Sequence, residues 1–183
     1  MSTNAPTATG AARANTSTPA RQVLWLVALF ERIPNSVIAL VARFSIAAVF
    51  WNSGQTKIEG FVINIVSGDF ALGWPRLSES AVALFQDEYQ LPLISPELAA
   101  PMAAVAEHVF PLLILVGLGT RFSALALLGM TLVIQLFVYP GAYATHGTWA
   151  AVLLYLMARG PGMLSVDHWL ARRHGDVAAS RMP

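Results

Sequence analysis

Two charged side chains stand inside stretches otherwise apolar enough to cross a membrane: Arg43 within SVIALVARFSIAAVFWN (36–52), and Glu107 within the stretch 97–119. A charge at membrane depth costs at least about 2.5–3.5 kcal/mol on insertion scales, so each must be paired, must reach the interface or must serve a site. Counting about 1.5 Å per residue from Ser36 and Leu118 puts Arg43 roughly 10 Å deep and Glu107 roughly 16 Å, a gap that an extended arginine closes. Two readings follow. One is structural, an Arg43–Glu107 pair joining two helices or Arg43 snorkelling to the interface; the other is a ligand or proton site. His108 comes directly after Glu107, points about 100° away around the helix, and is expected to hydrogen-bond a neighbouring helix.

A second group gathers at the opposite ends of the apolar stretches. Lys57, Tyr139, Tyr143, His146 and Trp149 fall just beyond them, with Gln135 one turn below Tyr139. Tyr and Trp at this level form an aromatic belt. They would also wall a small pocket for a quinone-like headgroup, whose carbonyl oxygens want donors such as Lys57, His146 or Arg43. A bis-histidine haem is disfavoured, because His146 is near a rim while His168 and His174 are outside the spans. Neither a His-x-x-His nor a Glu-x-x-His pair occurs, so no metal site is expected. The absence of cysteine excludes disulfides, thiolate zinc, iron–sulfur clusters and CxxC relays within the chain. Scattered basic residues and a formal charge of +1 give no field for nucleic acid. Phosphate loops, serine elbows and paired catalytic carboxylates are missing too.

The elements that must carry these residues follow from composition. Of 183 residues, 56% are hydrophobic and 11% charged, and the mean hydropathy is +0.58. The expected class is an all-α membrane protein, a four-transmembrane-helix bundle with interfacial amphipathic helices, since helices alone satisfy the backbone where barrel alternation is lacking. Residues 1–20, rich in Ala, Thr, Ser and Asn, read as a disordered tail, and 21–35 as an interfacial helix too short to span. The transmembrane domain, 36–159, has spans at about 36–52, 97–119, 121–139 and 143–159, the last the shortest in apolar length. Residues 160–183 form a cytoplasmic C-terminal tail with a short amphipathic piece at His168–Arg173.

In the outer loop, 53–96, Ile58, Phe61, Val62, Ile65 and Val66 recur at helical spacing, and a second helix is expected from Ser78 as N-cap to Tyr89. With both termini inside, Arg13, Arg21, Arg32, Arg121, Arg159, Arg172, Arg173 and Arg181, eight of the eleven Lys and Arg, lie on the cytoplasmic flanks.

Arg43 with Phe50, Gly54 and Lys57, then Glu107 with the run from Pro111 through Arg121–Phe122, then Tyr139–Pro140, His146, Trp149 and Gly160–Pro–Gly–Met–Leu–Ser–Val–Asp167 together resemble the DoxX family of small four-helix bacterial membrane proteins. The likeness runs from about Val37 to Leu170. It implies a multi-pass protein of the bacterial inner membrane and a recurring redox theme. Relatives are associated with the membrane subunit of a thiosulfate:quinone oxidoreductase, with a complex linking thiol redox to superoxide detoxification, and with copper-responsive gene clusters. The positions carried over by similarity are Arg43, Lys57, Glu107, Arg121, His146, Trp149 and Asp167, the candidate polar site being Arg43, Lys57, Glu107, His146 and Trp149, with Arg121 and Asp167 structural.

The expected function is the membrane subunit of a redox or stress-response system, with quinone as candidate cofactor and a soluble redox protein or a second copy as partner. Any activity would be that of a quinone-linked oxidoreductase subunit, since nothing within the chain holds electrons. The alternative is a non-redox carrier or assembly factor acting as an oligomer, in which the intramembrane charges form a structural or gating element.

Overall fold

The structure is a computed structural model that describes residues 18–64 and 67–179. Residues 1–17 of the expected disordered tail lie outside the described residues, as does Arg181 of the basic flank. Helix α1 spans Thr18–Phe30 and belongs to a unit ending at Pro34, separate from the rest of the chain.

From Asn35 onward four helices pack around one apolar core: α2 (Asn35–Gln55), α4 (Pro96–Val116), α5 (Thr120–Val133) and α6 (Tyr143–Arg159). Helix α2 packs on α4 and α6, and α5 lies against both α4 and α6. Ile46 and Phe50 of α2, Ile114 of α4, Leu127 of α5 and Leu153 and Leu156 of α6 fill the centre. The outside is apolar as well: Val41, Phe44, Val105, Leu112, Leu125, Leu132 and Leu154 are exposed. Side chains of this kind facing outward suit hydrocarbon and not water.

Helices α2, α4 and α5 with its extension to Val138 are long and apolar enough to cross a membrane. Helix α6, at 17 residues, rises about 26 Å and falls short of the length that composition alone requires.

The connections define two ends of the bundle. At one end, the turn end, Gly117 and Gly119 take left-handed conformations between α4 and α5, and Gly160–Pro161–Gly162 leads from α6 to α7 (Val166–Ala179). At the other end the chain between α2 and α4 forms β1 (Ile58–Asn64), β2 (Asp69–Leu77) and α3 (Glu79–Leu84), the last continuing as a π-helical turn over Phe85–Tyr89. Ser78 is the N-cap residue of α3, as its position predicts, although its side chain makes no cap hydrogen bond.

Of the amphipathic helix expected over Ile58–Val66, Ile65 and Val66 lie outside the described residues, and Ile58–Asn64 is instead one strand of an antiparallel hairpin, with Ile58 opposite Leu77 and Asn64 opposite Asp69. The helical spacing was real but incomplete. It omitted Ile63, which would fall off the stripe, and it ignored how poorly β-branched residues separated by Gly60 suit a helix. The hairpin is tied to α2 through both backbone groups of Ile63: its carbonyl accepts from Trp51 Nε1 at 3.0 Å, and its N–H donates to Gln55 Oε1 at 2.8 Å.

Candidate functional site

The register of α2 against α4 decides where the charges meet. Gly54 lies so close to α4 that a Cβ there would stand 2.8 Å from His108 Cε1 and 3.1 Å from the Glu107 Cβ. A small residue here lets the two backbones approach. Gly54 is therefore level with Glu107, and Arg43, eleven residues back, lies roughly 16 Å further along the bundle.

Arg43 and Glu107 are accordingly not paired. Arg43 Nε donates to the carbonyl of Ile114 at 2.8 Å, Nη1 donates to those of Pro161 (3.1 Å) and Leu164 (2.6 Å), and Nη2 donates to that of Leu115. The end of α4 leaves carbonyls without helical partners and carries the negative end of the helix dipole, which suits a planar cation with five donors. Ser36 and Leu118 are not level, because α2 begins roughly 10 Å beyond the end of α4 at the turn end, and so equal depths from those two residues do not bring Arg43 to Glu107.

Glu107 pairs with Lys57, Nζ to Oε2 at 2.7 Å. Both are buried, 3% and 2% exposed. The other Lys57 protons go to the Ser53 carbonyl (3.2 Å) and Ser53 Oγ (3.1 Å), so all three donors are engaged. Closing two residues beyond α2, Lys57 folds back into the bundle through a turn in which its N–H donates to Gly54 O at 2.9 Å.

Two histidine–glutamine pairs flank this ion pair, and a backbone group fixes the amide orientation in each. Gln55 Oε1 accepts from Ile63 N–H, so its nitrogen faces His108 Nε2 at 2.9 Å, and His108 Nδ1, 2.6 Å from Ala104 O, must carry the proton. His108 is thus satisfied at both nitrogens.

Gln135 lies in the π-helical turn Ile134–Val138 that ends α5, and its Nε2 donates to Pro140 O at 2.7 Å. Its oxygen therefore faces His146 Nδ1, 2.7 Å away, so Nδ1 is the protonated nitrogen. His146 is 5% exposed, and no partner for its Nε2 is found among the described residues. Its ring lies 5.0 Å from that of Trp149, which in turn is 5.6 Å from Phe50.

Glu107 and His146 open onto one cavity of about 340 Å³ at the hairpin end, lined also by Phe50, Ser53, Trp149 and apolar side chains of α4 and α5. The two π-helical turns also contribute, Phe85 and Tyr89 from one and Ile134 and Val138 from the other. Such turns are frequent at functional sites. Across the rim the Tyr139 hydroxyl donates to Glu88, and the Tyr89 and Tyr139 rings meet edge to face at 5.9 Å. The hydrogen bond to Glu88 raises the pKa of Tyr139, and burial raises that of Tyr89.

Of the sequence-derived candidates, Glu107, His146 and Trp149 thus line the cavity, with Lys57 held behind Glu107, whereas Arg43 is at the turn end with Arg121 and Asp167. Asp167 accepts from the N–H groups of Gly119 (2.7 Å) and Thr120 (3.0 Å), satisfying the first amides of α5. Arg121 lies beside Gly160. Sequence reasoning missed Ser53, the Gln135–His146 bond and the Glu88–Tyr139 tie. Gln135, the one strongly polar residue of its span, was the available signal. Among the described residues no three His, Asp or Glu side chains could share a metal ion.

The DoxX family model matches residues 38–140, more than half of the chain. The chain belongs to the DoxX family. With three helices long and apolar enough to cross, this DoxX protein is a multi-pass membrane protein. It is similar to an uncharacterised protein of Haemophilus influenzae, 28% identical over 150 residues that cover 75% of this chain and 85% of that one. No solved structure matches it.

Proposed function

We propose that this DoxX protein is the membrane subunit of a redox or stress-response system, and that its cavity receives the ring of a quinone-type cofactor. The observation that carries the reading is the cavity itself: about 340 Å³, apolar and aromatic in its walls, with a carboxylate and a singly bonded imidazole as its buried polar groups. That volume lies at the small end of ligand sites and suits a single ring system. Trp149 and Phe50 would flank the ring, and His146 Nε2 and Glu107, both acceptors, would take hydrogen bonds from the ring hydroxyls of its reduced form. Such a cofactor supplies a two-electron, two-proton couple, which a chain without cysteine cannot supply from its own side chains.

The expectation that Lys57 and Arg43 would serve as the hydrogen-bond donors is dropped, because Lys57 has no free proton and Arg43 is at the other end. We further propose that α6 is a fourth span, and that the protein lies in the bacterial inner membrane with both termini cytoplasmic. In support, Arg121, Arg159, Arg172 and Arg173 belong to the turn end and α7, whereas Glu59, Glu79, Asp87 and Glu88 belong to the hairpin end. The cavity then opens toward the outer face, and a soluble redox protein or a second copy is the partner.

The test is extraction of the gently solubilised protein, read by mass spectrometry and visible absorption. About one quinone per chain supports the proposal. An empty protein whose reconstituted vesicles show transport lost in Glu107→Gln would favour the carrier reading, with the Lys57–Glu107 pair as its gate.

A further inference from the structure

The contrast between the two histidines has a chemical consequence for what the cavity accepts. His108 uses both ring nitrogens, donating to Ala104 O and accepting from Gln55. His146 uses one. Because Pro140 O can only accept, the Gln135 nitrogen must face it, and the Gln135 oxygen then requires a proton on His146 Nδ1. A neutral imidazole protonated there is bare at Nε2, so it presents an acceptor. The second buried polar group on the wall, Glu107, is a carboxylate and accepts only; its Oε2 is taken by Lys57. Donors that could answer a ligand carbonyl are scarce on this wall: Lys57 is spent, and Tyr139 gives its proton to Glu88. The Ser53 hydroxyl, which accepts from Lys57, gives its own proton to Glu107, and the Trp149 indole N–H and the Tyr89 hydroxyl remain.

We propose that the cavity selects ligands that donate hydrogen bonds, and that Gln135 is the residue setting this preference by fixing the His146 tautomer. This rests on the reading of the cavity as a quinone-type site and narrows it: the reduced, dihydroxy form is the ligand held tightly, and the oxidised, carbonyl form is held weakly. A hydroxyl can donate to His146 Nε2 or Glu107 and still accept from Trp149, whereas a carbonyl displaces water from Nε2 and gives it no proton in return. An unpaired buried acceptor weakens binding by roughly tenfold or more. Gln135 is a positioning residue that acts through His146. The π-helical turn is what makes this possible, since Gln135 has to reach forward to Pro140 and across to α6 from one backbone position.

The experiment is anaerobic calorimetric titration of the full-length, detergent-solubilised protein with durohydroquinone, with duroquinone and with the dimethyl ether of durohydroquinone, which keeps the ring but has no proton to donate. It is paired with NMR of isotope-labelled histidine ring nitrogens. The wild-type protein should bind the hydroquinone roughly tenfold more tightly than either other probe, with His146 protonated at Nδ1. Gln135→Leu should mix the tautomers and reduce the preference severalfold. Gln135→Glu, whose carboxylate has no proton for Pro140 O and favours a second proton on the ring, should lose the preference as well, with His146 protonated at both nitrogens.

Equal wild-type affinity for all three probes overturns the selectivity and leaves the cavity reading standing. Binding of none overturns the cavity reading, and the selectivity with it. A wild-type His146 protonated at Nε2 overturns the tautomer lock whatever the titrations give.

Discussion

Removing one member of the Lys57–Glu107 pair should be far more harmful than removing both. In Glu107→Leu the ammonium of Lys57 keeps only the Ser53 carbonyl and hydroxyl, both beyond 3.0 Å, inside a site that is 2% exposed. In Lys57→Met the carboxylate loses its closest donor, at 2.7 Å. Breaking a buried pair this way costs about 3–5 kcal/mol, which for a chain of this size lowers the unfolding midpoint by roughly 10 °C. Replacing both by apolar side chains of similar volume removes the uncompensated charge and should return much of the loss, a coupling of about 2 kcal/mol or more. Arg43 supplies the control. It contacts neither residue, so its effect should add to that of Glu107→Leu within about 0.5 kcal/mol. Thermal unfolding in detergent, followed by intrinsic tryptophan fluorescence, gives all the variants on one scale. Additive losses for Lys57 with Glu107, or a strong coupling of Arg43 with Glu107, would refute the register deduced from Gly54.

At the turn end, Arg43→Met takes the side-chain donor from four carbonyls, of which Ile114 O keeps the Gly117 N–H, and should cost about 3 kcal/mol, with Arg43→Lys recovering part because three donors replace five; the same thermal scan measures both. Gly117→Ala should lose about 2 kcal/mol, since φ is +74° and the new Cβ would stand 2.5 Å from the Ser165 Cβ. Asp167→Ala uncaps α5 and should cost about 1–2 kcal/mol, with hydrogen exchange rising at Gly119 and Thr120. Tyr139, whose pKa lies above the ordinary value of about 10, should resist ionisation in an ultraviolet titration. The folded pKa is the raised one, so the stability from its tie to Glu88 is complete below pH about 10 and falls as pH climbs through the folded value; Tyr139→Phe removes that alkaline arm.

Hydropathy and punctuation made the helices legible: long apolar runs ended by Gly117–Gly119 and Gly160–Gly162 are local signals. The hairpin was misread because its apolar residues satisfy a helical spacing, and only the β-branching with the glycines spoke against it. The partners of the charges were hidden for a different reason. Which acid meets which base depends on how far one helix slides along another, and that slide is set at Gly54, where absence of a side chain carries no signal of its own. Glu107, His146 and Trp149 were picked out individually because polar residues at membrane depth demand a reason. Their assembly around one cavity needed the turn after α5, whose π-helical geometry turns Gln135 toward His146.

The most direct test of the cavity as a ligand site is to fill it. Ala103 lines it without belonging to its polar groups, and Ala103→Phe would occupy ring space with a side chain that the apolar walls can accept. Quinone retained through gentle solubilisation should be about one per chain in the wild-type protein and nearly absent in Ala103→Phe, with the unfolding midpoint little changed. Equal retention in the two proteins would contradict the account, because the cofactor would then lie elsewhere.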